Sequence, residues 1–176
     1  IVITQNGKKF DQKKLNARFI IHGMQPPSPY QHIDTLVIAR KHFGFTSKKL
    51  AYMTEQLCTN YKKDGHKKFS GFELWKECLA GNPEAWDEME KYNRMDVLSL
   101  EELYYVLAPW DNTVEINTFH DGDEYVCTCG NTKFQKQGYR HTKVGKYQRY
   151  KCTNCGSWRQ GKTNLLTLDK RRKMLK

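Results

Sequence analysis

Four of the six cysteines fall in two close pairs, "CTCG" (Cys127, Cys129) and "CTNCG" (Cys152, Cys155). Two turns carrying two thiolates each, brought together by the chain between them, give the four-sulfur tetrahedron that Zn²⁺ accepts in structural sites. A glycine follows each pair and suits a tight turn that points both sulfurs inward. The first pair is spaced C-x-C, tighter than the usual C-x-x-C, which leaves His120 or His141 open as a substitute ligand. An iron–sulfur cluster is an alternative for the same thiolates, and a disulfide fits poorly with a chain that carries no secretory signal. Cys58 and Cys78 lie in helical stretches without partners and read as core thiols. A second stretch of interest is "EKYNRMDVLSLEELYYVL", residues 90–107. Tyr92 and Asp96 stand four apart and share one face of a helix whose apolar positions are Val97, Leu100, Leu103 and Leu107. On spacing alone, packing would account for Tyr92, and solvation or a lysine partner for Asp96.

The segment between the cysteine pairs, "NTKFQKQGYRHTKVGKYQRYK", reads as a hairpin. It interleaves Lys133, Lys136, Arg140, Lys143, Lys146 and Arg149 with Phe134, Tyr139, Tyr147 and Tyr150. That mixture suits phosphate contact combined with stacking on bases or sugars. The charge distribution agrees. The formal net charge is +11, yet residues 1–111 hold 16 Lys and Arg against 14 Asp and Glu, whereas residues 112–176 hold 14 against 5. A positive field concentrated in one segment favours a polyanion, and nucleic acid is the commonest inside cells. A basic segment of this kind can also serve as a protein-docking module.

These residues need elements to position them. The 176 residues are 38% hydrophobic, with four Trp, ten Tyr and eight Phe, enough for a globular core. No apolar run approaches the ~20 residues of a membrane span, and no signal peptide opens the chain, so an intracellular setting, cytoplasmic or nucleoid-associated, is expected. Residues 1–111 alternate short strands and helices. "IVITQ" predicts a strand and "KFDQKKLNARFIIHG" a helix with Phe10, Leu15, Phe19 and Ile20 inward and Gly23 as its stop. "MQPPSPY" predicts a loop, and "QHID" a second strand feeding a helix capped by Asp34 or Thr35. "SKKLAYMTEQLC" and "SGFELWKECLAG" supply two more helices. The longest helix opens with Asn82 as N-cap and Pro83 at the first helical position and ends at Pro109, with a kink expected near Asn93. Beyond Trp110 the pattern changes to turns, short strands and paired cysteines. The expected division is an α/β domain over 1–111, a small β zinc ribbon over 122–165 and a basic tail over 166–176.

"TQNGKKFDQKKLN" near the start and "YNRMD" on the long helix together resemble the second and third motifs of the DEDDy class of 3′-to-5′ exonucleases, a family with an RNase H-like fold that includes polymerase proofreading domains. "HIDTLVIARKHFGF" resembles the stretch the family carries between them, and the likeness covers about residues 1–110. It implies a two-metal phosphodiester hydrolase using Mg²⁺ or Mn²⁺, hard cations that take carboxylate oxygens. By this resemblance Asp96 holds the metal that activates water, Asp11 serves the other metal, directly or through water, and Tyr92 orients the attacking water. Asn6 shapes the turn before Asp11, and Asp34 caps a helix, a supporting contact near the metals being its lesser reading. The cysteine segment resembles the zinc ribbons of transposases and other DNA-handling proteins, in which "YKCTNCG" recurs in similar form.

The family's first motif, Asp-x-Glu, precedes the second, and only five residues stand before Asn6 here. With Ile in place of Met at position 1, this implies a partial RNase H-like domain lacking its first strands, completed by a missing N-terminal half that is another chain or upstream sequence. The resemblance then implies an exonuclease acting on nucleic acid, with DNA the expected substrate, and active once completed. Two other functions stay open: a catalytically silent nucleic-acid-binding subunit, and a ribbon that docks on a polymerase or another replication protein.

Overall fold

The computed structural model describes residues 1–62 and 68–175. The chain divides into two compact units, Ile1–Leu107 and Ala108–Lys176. In the first, β1 (Val2–Thr4) pairs in parallel with β2 (His32–Asp34), Ile3 opposite Ile33. Between them runs α1 (Asp11–Ile21), the crossover that a parallel pair requires. Then follow α2 (Thr35–His42), α3 (Leu50–Leu57), α4 (Glu73–Leu79) and α5 (Pro83–Leu107). The fold is thus mixed α/β in the first unit, followed by a small antiparallel sheet in the second.

Helix α5 is the spine of the first unit, with α2, α3 and α4 packed against it. Asn82 Oδ1 accepts the Glu84 N–H at 3.1 Å, and Pro83 takes the first helical position, where its missing donor costs nothing. Ser99, Leu103 and Leu107 form a buried stripe at four-residue spacing and meet a core that includes Leu36, Ile38, Ala39 and Met53. Leu74, Cys78 and Ala85 make a smaller cluster with Phe69 and Met89 against it. The helix continues through Asn93 as one element. Val97, expected inward, is 59% exposed. It lies two residues, about 200°, around the helix from Ser99, which takes the buried position instead. Ser99 is a small residue whose hydroxyl donates to the Asp96 carbonyl at 3.2 Å.

The apolar face of α1 is also turned differently from expectation. Leu15 and Ile20 are exposed, as is Phe10 before the helix, and Phe19 is half-buried. Periodicity identified the apolar side, but no described element packs across it to the extent that α5 is covered. Cys58 and Cys78 are buried thiols. Burial and the nearby Glu102 carboxylate push Cys58 up to about 11, as suits an inert core residue. Glu102 itself, on α5, receives the backbone N–H groups of Thr59 (2.8 Å), Asn60 (3.1 Å) and Tyr61 (2.7 Å) and so ties the loop after α3 to the spine.

In the second unit, β3 (Phe134–Thr142) and β4 (Gly145–Cys152) form a hairpin joined by Lys143 and Val144, and β5 (Trp158–Gln160) pairs antiparallel on the free side of β4. A register shift between Lys136 and Tyr139 places one extra residue in β3, with Gly138 at φ 64°. This is a bulge whose left-handed residue is a glycine for steric reasons. A short helix, α6 (Leu168–Arg172), is capped by Thr167. No described helix is long and apolar enough to cross a membrane.

Candidate functional site

In the first unit the geometry is organised by Asp34. It is buried, and its carboxylate accepts the Leu36 N–H (3.0 Å) at the start of α2, the Asn6 N–H (2.9 Å) and the Lys8 N–H (3.2 Å). One side chain therefore caps a helix and pins the turn that leads into α1. Asn6 sits in the left-handed region at φ 65°, a conformation asparagine tolerates better than most residues. Gly7 is buried so close to Thr4 that a Cβ would overlap the threonine side chain. The "NG" pair is thus demanded by the turn itself. Thr35 completes the join, its hydroxyl donating to the Thr4 carbonyl at 3.0 Å.

From that turn Asp11 opens α1 and is exposed. Tyr92 and Asp96 lie one turn apart on α5, both half-buried and both engaged in contacts, with Asp96 Oδ1 shut off from solvent. Among the described residues, neither Asp11 nor Asp96 belongs to a group of three or more acidic, cysteine or histidine side chains close enough to share a metal. Two carboxylates alone fit a two-metal site only in part.

In the second unit the four sulfurs of Cys127, Cys129, Cys152 and Cys155 lie within 4.8 Å of one another. The Cys127–Cys155 and Cys129–Cys152 separations are 3.5 and 3.7 Å. A tetrahedron with Zn–S bonds of about 2.3 Å has edges of roughly 3.8 Å, so the donor set fits zinc. Each pair sits on a tight turn closed by the following glycine. Gly130 (φ 81°) donates its N–H to the Cys127 carbonyl at 2.8 Å, and Gly156 (φ 74°) donates to the Cys152 carbonyl at 3.2 Å. Amide donors face the sulfurs: Asn131 Nδ2 stands 3.2 Å from Cys152 Sγ and Asn154 Nδ2 3.6 Å from Cys129 Sγ. Burial alone would raise the Cys152 thiol, but the Asn131 amide and nearby backbone N–H groups bring it down to about 6. Burial and the neighbouring sulfurs push Cys155 up to about 12. Four thiols this close cannot all ionise by themselves, and a divalent cation removes that conflict. Neither His120 nor His141 belongs to the cluster.

The basic residues of the hairpin do not form one surface. Residues opposite each other in a strand pair share a face, and alternate residues point to opposite faces. The register places Lys136, Tyr139, Lys146 and Tyr150 on one face, where Lys146 Nζ lies 3.9 Å from the centre of the Tyr139 ring. Arg140, Tyr147 and Arg149 occupy the other. Lys143 is at the hairpin tip, and Lys133 precedes β3.

The sequence reading passed over β5. Trp158 and Gln160 pair with Lys151 and Arg149 and join the Arg140 face, and Arg140 donates to Gln160 Oε1 at 2.8 Å. The signal was present in "CGSWRQGK", a tryptophan and two cations directly after the second cysteine pair.

Residues 1–108 match the RNase H superfamily. Neither the curated proteins nor the solved structures contain a match. The matched span covers well over half of the chain and includes the Asn6–Gly7 turn, Asp11, Asp34, Tyr92 and Asp96, and on this basis the chain belongs to the RNase H superfamily.

Proposed function

We propose that this chain is the metal-dependent 3′-to-5′ exonuclease component of a DNA-processing protein, with its cysteine segment a zinc ribbon that grips the nucleic acid. Membership of the RNase H superfamily supports a nuclease. The observation that carries the finer reading is the placement of Tyr92 and Asp96 one helical turn apart on α5 within the matched residues. Divalent Mg²⁺ or Mn²⁺, when bound, supplies an activated water and relieves charge on the leaving oxygen. Asp96 and Asp11 would hold these ions, and the Tyr92 hydroxyl would orient the attacking water. Further carboxylates are required, because among the described residues neither Asp11 nor Asp96 belongs to a group of three or more acidic, cysteine or histidine side chains that could hold a metal. We assign them to a segment carrying Asp-x-Glu, upstream in the same protein or in a partner chain, which would also cover the exposed apolar face of α1.

A 5′-labelled single strand incubated with Mg²⁺ or Mn²⁺ tests this. The chain alone should degrade it weakly, and the chain supplied with the Asp-x-Glu segment should shorten it from the 3′ end. Robust hydrolysis by the purified chain alone would overturn the need for completion. The lack of an acidic cluster among the described residues also favours a second reading, a catalytically silent nucleic-acid-binding subunit. It predicts that completion restores no hydrolysis while binding persists. Docking of the ribbon on a polymerase would instead show as salt-insensitive association with such a protein.

A further inference from the structure

Beside β5 lies an open groove of about 680 Å³, formed within the second unit and lined in part by Arg140, Arg149, Trp158, Arg159 and Lys162. That volume lies inside the range of about 300 to 1,000 Å³ typical of ligand clefts. Its chemistry is uneven. Four cations line it against one carboxylate, Glu115, which is already occupied by the Asn117 side-chain amide at 2.6 Å. Arg140 donates to Gln160, and Arg159 donates to Ser157 Oγ at 2.8 Å and to the Trp158 carbonyl at 3.0 Å, all neutral partners. No ion pair among the described residues neutralises any of the four. Trp158 is 45% exposed on the edge strand, with Arg149 Cζ 5.9 Å and Lys151 Nζ 5.8 Å from its ring. A large ring kept in solvent and ringed by uncompensated cations has the parts of a base-stacking platform beside phosphate contacts.

We propose that this groove is a clamp for one unpaired nucleotide of a single strand, in which the base stacks on Trp158 and the adjoining phosphates lie against Arg149 and Lys162. The clamp rests on the nucleic-acid reading given above and narrows it to single-stranded substrate. Duplex DNA is a poor occupant, because its bases are stacked on one another and present no free face to Trp158. The Lys136 and Lys146 face of the hairpin is not part of the clamp.

The test uses the full zinc-loaded chain and fluorescence anisotropy with labelled oligo-dT, an abasic deoxyribose-phosphate oligomer of equal length, and a duplex. Trp158→Ala should weaken oligo-dT binding roughly 5- to 160-fold, the range expected when base–aromatic stacking is lost. It should leave abasic and duplex binding unchanged. Trp158→Phe, which keeps a ring and the fold, should recover most of the loss. Arg149→Ala and Lys162→Ala should each lower the slope of log affinity against log salt by about 0.7, one phosphate contact on a single strand. Wild-type oligo-dT affinity in Trp158→Ala, or equal losses for abasic and duplex ligands, would overturn the clamp and leave general nucleic-acid binding standing. Poly-glutamate competing as well as oligo-dT at equal charge would reassign the groove to acidic protein partners. If the wild-type chain binds none of the three oligomers, the nucleic-acid reading itself falls, and the clamp with it.

Discussion

Asp34 receives the backbone N–H of Asn6 at 2.9 Å across 28 residues of chain. The same carboxylate starts α2 by accepting from Leu36, so the turn that leads into Asp11 is set by the residue that closes the parallel strand pair. Asp34→Ala would leave three N–H groups without this acceptor at a buried site. Hydrogen bonds to charged groups contribute about 1.5 to 3 kcal/mol each, and part of that is recovered by water, so a loss of about 3 kcal/mol is expected. Asp34→Asn keeps one acceptor oxygen and should lose less. Denaturant unfolding of the two variants checks the order, and equal stability of Asp34→Ala and wild type would remove Asp34 as the organiser of this turn.

A pH dependence follows from Glu102. The N–H of Thr59, joined by those of Tyr61 and Asn60, holds its carboxyl down at about 2, from an ordinary value of 4.5. A group whose folded value is depressed contributes stability above its unfolded value and loses it as pH falls through the folded one. Its contribution should therefore be complete above pH 4.5 and fade between 4.5 and about 2. Glu102→Gln should unfold at lower denaturant than wild type at pH 7 and lose stability less steeply over that acid window. Parallel acid profiles for the two proteins would show that the loop after α3 does not depend on this charge.

Much of the scaffold was legible because local chemistry specifies it. Asn82 followed by Pro83 marks a helix start through a side-chain acceptor and a missing donor, and Asp34 before an apolar run marks another. Burial of α1 was not legible in the same way. The spacing of Leu15, Phe19 and Ile20 says which side of the helix is apolar, but whether anything covers that side depends on packing partners. The hairpin shows a different limit. Strict alternation would put Lys136 and Tyr139, three apart, on opposite faces, whereas the extra residue at Gln137–Gly138 puts them on the same one. Which cations share a surface was therefore hidden until the bulge was located. The cysteine cluster was readable from spacing, but the exclusion of His120 and His141 required their positions.

For the nuclease reading, Asp96 and Tyr92 should separate in their effects. In the completed protein Asp96→Ala removes a carboxylate that would hold metal and should abolish turnover. Tyr92→Phe removes only a hydroxyl that orients water and should slow the reaction, about 10²-fold at most for a single positioning contact, with substrate affinity nearly unchanged. Single-turnover rates combined with binding isotherms resolve the two. Normal cleavage by Asp96→Ala would show that "YNRMD" is not the catalytic motif.

The four-cysteine centre carries the last prediction. Cys127 and Cys152 are buried almost completely, yet few other side chains in the second unit are, so the sulfur cluster forms much of what core the hairpin has. Elemental analysis of protein purified without added metal should return one Zn²⁺ per chain. Stripping the ion by a chelator should unfold the segment from Cys127 to Cys155, because a module this small has too little apolar burial to stand without its metal. The first unit has its own core around Leu103 and Met53 and should keep its cooperative unfolding transition. Cys152→Ser should reproduce the chelator's effect, since Cys152 is both buried and the sulfur that Asn131 supports. Amide exchange read separately in the two units distinguishes the outcomes. Loss of protection confined to the second unit is the expected result, whereas full protection of β3 and β4 in metal-free protein would mean that the hairpin folds on its own side chains.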